Sequence, residues 1–396
     1  MKKTTTNLDE IVDRTEVATL KFNAETMHGI FGTSDLWPSW VADMDFRAAP
    51  KIIEALNRRL QHGIFGYEAS TAELSDAVVN WYQRKHGWAF DSSQIIFSPR
   101  TLNSLAVLIT HFSEAGDGVI VQSPVFYDFK IIISRHKRKL VKNPLTLQED
   151  RYSMDFEDLE AKAADPRNKL LILCNPHNPI GRIWSREELS TLADICARHN
   201  VFIISDEIHG DIAYANKYTP LASISAQATA NCATCISPVK SFNLAGLANS
   251  MMVIADEEKR KACADWYSKM EVNKNFIFNN VAMQAAYTDG EGWLNEVIGY
   301  LKGNIDELRS TLATNMPQIR LIEPDGTFLV WLDFRELGLD ARQLERFLSH
   351  DARMGTNPGH WFGREGAGFA RVNIACPRSV LQAALGQLDK AIKNLT

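Results

Sequence analysis

The sequence predicts an α/β fold: a large domain built on a sheet of mostly parallel strands flanked by helices, with a smaller α+β domain beside it. Three observations carry the prediction. Short apolar runs end in turn or polar residues: Val119-Ile120-Val121 before Ser123-Pro124, Leu170 to Cys174 before Asn175-Pro176, and Val201 to Ile204 before Ser205-Asp206. Runs that short, without polar alternation, fit strands covered by helices on both faces. Stretches of helical periodicity lie between them, and the last hundred or so residues change to a pattern of long helices and isolated strands.

The elements follow in chain order. Ser185 is placed to cap a helix and Glu188 to complete its capping box, ahead of Leu189, Leu192 and Cys196; Asn200 supplies the stop. Cys232 to Ile236 reads as a further strand. Glu296 to Leu312 reads as a long amphipathic helix, and Phe328 to Leu332 as a strand after the turn Asp325-Gly326. A helix over Ala341–Leu348, a strand over Phe369–Ile374 and a final helix from Ser379 complete the smaller domain. The expected division is 1–56 as an N-terminal segment joining the small domain, 57–285 as the large domain and 286–396 as the small one.

Bulk properties exclude several function classes. The 396 residues are 45% apolar and 23% charged, ordinary globular values, and the formal charge of −5 argues against nucleic acid or an anionic membrane as the main partner. The basic run Arg135 to Lys139 reads as a solvated helix end. No apolar run approaches the ~18 residues of a membrane span. Met1-Lys2-Lys3-Thr4 leads into Asn7-Leu8-Asp9-Glu10 without an apolar stretch, so no secretory signal is read. Six cysteines in a chain this long make no disulfide framework, and a cytoplasmic location is expected. Cys232 and Cys235 form a lone C-x-x-C on a strand, where residues three apart face opposite ways, so no metal site is expected.

Ligands of parallel α/β sheets sit beyond the carboxyl ends of the strands. Three groups fall there: Asp206 after Val201–Ser205, Asn178 in Asn175-Pro176-His177-Asn178-Pro179-Ile180-Gly181, and Lys240 in Ser237-Pro238-Val239-Lys240. A lysine held at the end of a buried strand is disfavoured in its charged form, which frees its amine to attack carbonyl compounds such as the aldehyde of pyridoxal phosphate. A carboxylate facing a pyridine nitrogen keeps that nitrogen protonated, and the ring then acts as an electron sink. An amide suits the ring's phenolic oxygen. Asp206, Asn178 and Lys240 cover these handles.

The strings Ile203-Ile204-Ser205-Asp206-Glu207-Ile208-His209, Lys240-Ser241-Phe242-Asn243 and Arg371-Val372-Asn373-Ile374-Ala375-Cys376-Pro377-Arg378 resemble those of the fold-type I pyridoxal-phosphate enzymes. Within them the chain is similar to the cystathionine β-lyase-like (cysteine-S-conjugate β-lyase) branch of the class I/II aminotransferase family. Trp40 to Phe46 and Phe65-Gly66-Tyr67 belong to the same pattern. The resemblance spans almost the whole chain and implies a seven-stranded sheet and pyridoxal 5'-phosphate as cofactor. It also implies that Lys240 condenses with the cofactor and moves the Cα proton, Asp206 pairs with the ring nitrogen, and Asn178 and His209 lie near the phenolic oxygen. Phe126 would stack on the ring. Ser237 and the backbone N–H groups of Arg100 and Thr101, at a helix N-terminus, would hold the phosphate. Tyr67 would reach that phosphate from a second subunit, implying a homodimer, and Arg371 would bind the substrate carboxylate through paired bonds.

The chain departs from the family pattern in places. Arg100 stands where a small residue is usual, Ile180 replaces a threonine, Val239 replaces a serine, and Ala248 stands where aminotransferases keep an arginine. The function implied is a C–S β-lyase that converts cystathionine or other S-substituted L-cysteines to pyruvate, ammonia and a thiol. The alternatives are an aminotransferase of the same fold and a pyridoxal-phosphate-binding protein with a mainly regulatory role. A nucleotide hydrolase is excluded, since no Gly-Lys dipeptide exists to form its phosphate loop and Gly116-Asp117-Gly118 begins no G-x-G-x-x-G.

Overall fold

The computed structural model describes residues 6–69, 71–214, 217–247, 249–272 and 276–395. Its large sheet has seven strands: β1 (Ile95–Ser98), β2 (Gly118–Val121), β3 (Lys139–Lys142), β4 (Asn168–Cys174), β5 (Phe202–Asp206), β6 (Cys232–Ile236) and β7 (Ser250–Val253). They lie in the order β1-β7-β6-β5-β4-β2-β3, and only β7 runs against its neighbours. The apolar runs thus form a mostly parallel sheet, as expected. β5 is central, and Asp206 at its carboxyl end sits opposite Cys174 of β4 and Cys235 of β6.

Alternation along these strands divides the core in two. Ile204 and Cys235 pack into a smaller cluster under helices α1 (Thr101–Phe112) and α2 (Tyr127–Arg135), while Ile203 and Cys232 face the larger cluster on the other side. Each fully buried isoleucine here contributes about 1.5–3 kcal/mol relative to exposure. Cys232 and Cys235 accordingly face opposite ways. Among the described residues no cluster of metal-ligating side chains occurs, and all six cysteines are free and buried.

Helix α3 (Arg186–Arg198) begins with the expected reciprocal cap: Glu188 N–H donates to Ser185 Oγ at 3.1 Å and Ser185 N–H to Glu188 Oε2 at 2.8 Å. Such a cap stabilises the start by about 1 kcal/mol. Asn200, at φ 56°, turns the chain out of the helix and into β5.

A second sheet of four antiparallel strands takes the order β8 (Arg320–Ile322), β9 (Leu329–Asp333), β11 (Phe369–Asn373), β10 (Asn357–Pro358). It packs with helices α4 (Glu291–Asn315) and α5 (Arg378–Leu395). Helix α4 starts five residues before the expected Glu296, because Trp293 and Leu294 extend its buried stripe and outweigh Gly290 and Gly292. The helix expected over Ala341–Leu348 ends at Arg346. A π-turn over Phe347–Asp351 follows, which keeps Phe347, Leu348 and Ser349 all buried. The N-terminal segment runs beside this sheet: Trp37–Pro38 pairs with Met354–Gly355, and Asp45 N–H donates to Ala375 O at 2.8 Å. No helix among the described residues is long and apolar enough to cross a membrane.

Candidate active site

Asp206 enters the site from the end of β5, buried to 5% exposure. It accepts one long bond, from Ile208 N–H at 3.4 Å. Burial raises its carboxyl to about 7, against the pull of that bond and of the Lys240 charge. A carboxyl so placed lacks a strong donor of its own.

Lys240 follows β6, and the three residues after it are each anchored. Ser241 Oγ donates to Asp211 Oδ2 at 2.8 Å. Phe242, fully buried, packs its ring 5.6 Å from that of Trp81 and 6.3 Å from that of Trp293. Asn243 adopts φ 56° and donates to Met44 O and Phe46 O, while its Oδ1 accepts from Met44 N–H. The amine of Lys240 donates to Ala42 O at 2.7 Å. Burial, and then the positive charge of Arg371, bring its pKa down to about 8, so that near neutrality a usable fraction is the neutral nucleophile.

Arg371 on β11 is 2% exposed. It donates to Asn178 Oδ1 at 3.0 Å, Trp40 O at 2.9 Å and Asn357 Oδ1 at 2.6 Å, and its Nε has no partner. Among the described residues no carboxylate lies within ion-pair distance of it, and burial lowers its pKa to about 10. A buried guanidinium bound only by neutral acceptors is unstable unless an anion completes it. Its bond to Asn178 brings the small sheet against the loop after β4. That loop turns at Gly181 (φ +72°), where a Cβ would come 2.7 Å from Pro324 Cβ.

The segment Trp40–Phe46 joins these parts. Its carbonyls accept from Arg371 (Trp40), Asn373 (Val41 and Asp43), Lys240 (Ala42) and Asn243 (Met44 and Phe46). Lys21 and Arg14 brace it from behind, at 2.9 Å and 2.7 Å from Asp45.

The remaining expected residues divide. His209 is buried beside Lys240 and Arg371, with Nδ1 unpartnered; burial and then those two charges drive its pKa well below the usual histidine value, so the ring is neutral. Thr101 begins α1 with Arg100 as its N-cap, and Thr101 Oγ1 donates to Ser250 Oγ at 3.1 Å. Ser237 is buried and donates its hydroxyl to Asn249 O at 2.5 Å, leaving only lone pairs. Phe126 is half-buried, its ring 5.7 Å from that of Phe129. The side chain of Arg100 is exposed, and Tyr67 is fully exposed, so Tyr67 does not enter the pocket of its own chain. Ile180 packs in the main core, and Ala248 lies outside the described residues.

Sequence reasoning missed Asn357, the Ala42 carbonyl and Asp211. Asn357 and Asp211 act through partners 14 and 30 residues away, and Ala42 through one 198 residues away, so no local spacing announces them. Asp211 had one signal: it lies two residues beyond the string Ile203–His209.

Comparisons with known proteins agree with this geometry. The family described as aminotransferase class I and II matches residues 41–388. The chain is 41% identical to cystathionine beta-lyase PatB of Bacillus subtilis, over 92% of this chain and 94% of that one. It is 35% identical to protein MalY of Escherichia coli, over 92% and 93%. The crystal structure of cystalysin from Treponema denticola, which contains a pyridoxal 5'-phosphate cofactor, superposes with a TM-score of 0.95 at 31% identity, covering 99% of this chain and all of that one.

Proposed function

The chain belongs to the aminotransferase class I and II family, and from that premise we propose that it is a pyridoxal-phosphate-dependent C–S β-lyase acting on S-substituted L-cysteines such as cystathionine. The observation that carries the reading is the meeting of a depressed-pKa lysine, a buried carboxyl without a strong donor and a buried arginine without an anion. The 41% identity to a cystathionine beta-lyase supports the leaving-group chemistry.

The residues fit the cofactor. Asp206 suits the ring nitrogen, and the unpartnered Nδ1 of His209 and the amide nitrogen of Asn178, whose Oδ1 is taken by Arg371, suit the phenolic oxygen. The N–H groups of Arg100 and Thr101, at the start of α1, find no acceptor among the described residues and suit a phosphate, to which Ser237 donates only if its hydroxyl turns away from Asn249 O. Phe126 suits the ring face. When bound, pyridoxal phosphate supplies an aldehyde for amines and a pyridinium that withdraws electrons from the substrate Cα.

The protein's own groups supply the rest. Arg371 Nε and Nη hold the substrate carboxylate, replacing neutral acceptors by a charge-assisted pair. Lys240, neutral above about pH 8, takes the Cα proton; such a base contributes about 10²–10⁴-fold. Asp206, kept from water, retains the proton on the ring nitrogen. The Cβ–S bond then breaks to release thiolate, and the remaining three-carbon amino fragment takes up one water to give pyruvate and ammonia.

The large and small domains are proposed at 57–285 and 286–396, with 1–56 joining the small one; the pairing of Trp37–Pro38 with Met354–Gly355 supports the last. A cytoplasmic homodimer is proposed, in which Tyr67 reaches the partner's phosphate site. The exposed apolar run Ile64, Phe65 and Tyr67 supports it. The test is to supply cystathionine or an S-alkyl cysteine with the cofactor. Pyruvate and thiol in equal amounts are expected, and amino transfer that needs a keto acid and releases no thiol would refute the lyase.

A further inference from the structure

The loop that carries Asp206 and His209 continues to Asp211, and Asp211 reaches the turn that carries Lys240. Its Oδ2 accepts from Ser241 Oγ at 2.8 Å, and its Oδ1 accepts from Trp81 Nε1 at 2.8 Å and lies 2.7 Å from His86 Nε2. Asp211, Ser241 and Trp81 are buried, and the His86 side chain is 6% exposed. The reaction described above uses none of these groups. Burial alone would raise the Asp211 carboxyl, but the bonds from His86, Trp81 and Ser241 hold it below the ordinary range, so it remains ionised. Trp81 and His86 both belong to the helix Ala72–His86, and His86 is its last residue, where the negative end of the helix favours an imidazole donor. One carboxylate therefore ties two active-site loops to one rigid helix. The Trp81 ring adds a second tie, packing 5.6 Å from Phe242, two residues after the lysine.

We infer that Asp211 is a positioning residue that fixes the Lys240 amine relative to Asp206. The inference rests on the role proposed for Lys240. Asp206 follows one strand and Lys240 another, and the ladder between β5 and β6 ends at Asp206 and Cys235, five residues short of the lysine. Beyond that point the separation of the two loops depends on side chains. The Ser241–Asp211 bond spans the gap at the residue next to the lysine. A misplacement of ~1 Å at a reacting group can cost ~10²-fold in rate.

The experiment compares holoenzymes of wild type, Ser241→Ala, Asp211→Asn and the double variant. Each is first stripped of cofactor, for the rate at which added pyridoxal phosphate becomes trapped on Lys240 by borohydride, read by peptide mass, and then reloaded for kcat, KM and the thermal midpoint. Ser241→Ala loses one hydrogen bond, and about a tenfold fall in trapping rate and kcat is expected, with KM unchanged. Asp211→Asn is expected to fall about a hundredfold in both. The double variant should be no worse than Asp211→Asn, because both substitutions cut the same tie. A lowered thermal midpoint with wild-type trapping and kcat would overturn the inference, as would effects that multiply in the double variant. Where Asp211→Asn does not fold, Ser241→Ala decides by the same readouts. A wild type that traps no cofactor on Lys240 overturns the proposed function, and the role of Asp211 with it.

Discussion

Asp206 and Glu207 are neighbours in the chain, yet the polar regions they enter differ in kind. Strand geometry sends them to opposite faces of the sheet. Glu207 meets three donors: Ser205 Oγ at 2.5 Å, Leu221 N–H at 3.0 Å and the hydroxyl of Tyr218. Asp206 meets one long bond and faces the Lys240 charge, and the groups linked to that lysine and to Arg371 leave His209 Nδ1, Asn357 Nδ2 and Arg371 Nε without partners. Burial pushes both carboxyls up to about 7, so acidity alone does not separate them. Hydrogen-bond satisfaction does. Native proteins leave few buried polar groups unpaired, and a cluster of them marks where a ligand completes the structure. The Glu207 carboxylate is satisfied by the chain itself, and the Asp206 carboxylate is open.

The comparison breaks if the two carboxylates respond alike. Asp206→Asn removes the charge that keeps the ring nitrogen protonated, and a fall in kcat of ~10²–10⁴-fold is expected with the fold intact, checked by pyruvate release and circular dichroism. Glu207→Gln should instead cost about 1–3 kcal/mol of stability in a denaturant titration, with kcat within a few-fold of wild type.

Arg371→Lys sharpens the open side. It keeps the charge but loses the fork, and a rise in KM of about 10–100-fold is expected in steady-state kinetics.

The pH dependence of cofactor uptake follows from Lys240. The neutral amine is the nucleophile, so uptake by cofactor-stripped protein should rise with pH to a midpoint near about 8. Burial and the Arg371 charge both lower that midpoint; removing the charge in Arg371→Gln should move it upward, measured by stopped-flow absorbance. The smallest effect is expected at Ser237. Its hydroxyl proton is already given to Asn249 O, so Ser237→Ala should weaken cofactor binding only about two- to tenfold in a fluorescence titration.

Much of this was legible in the sequence. The apolar runs 119–121, 170–174, 201–204 and 232–236 announced their strands because a strand covered on both faces is mostly apolar, and the Ser185–Glu188 box because its signal spans four residues. Lys240, Asp206, Asn178 and Arg371 were legible through strand ends and motif. The supports were not. Trp81 and Asp211 lie 130 residues apart, and Lys240 and Ala42 lie 198 apart. Bonds of that kind are fixed by the closed fold and leave no local spacing. The start of α4 lies five residues before the expected one for a related reason: the burial of Trp293 and Leu294 that extends it is set by packing in the closed fold.

The central claim is that the open side of the β5 end takes pyridoxal phosphate on Lys240. Its most direct test is the absorbance spectrum of wild type and Lys240→Ala, each supplied with pyridoxal phosphate and then desalted. The wild type should keep a visible band that S-substituted cysteine perturbs while pyruvate and thiol appear, and the variant should keep no covalently held cofactor and show no turnover. A colourless wild type, or a Lys240→Ala protein that turns over as fast as wild type, would contradict the account.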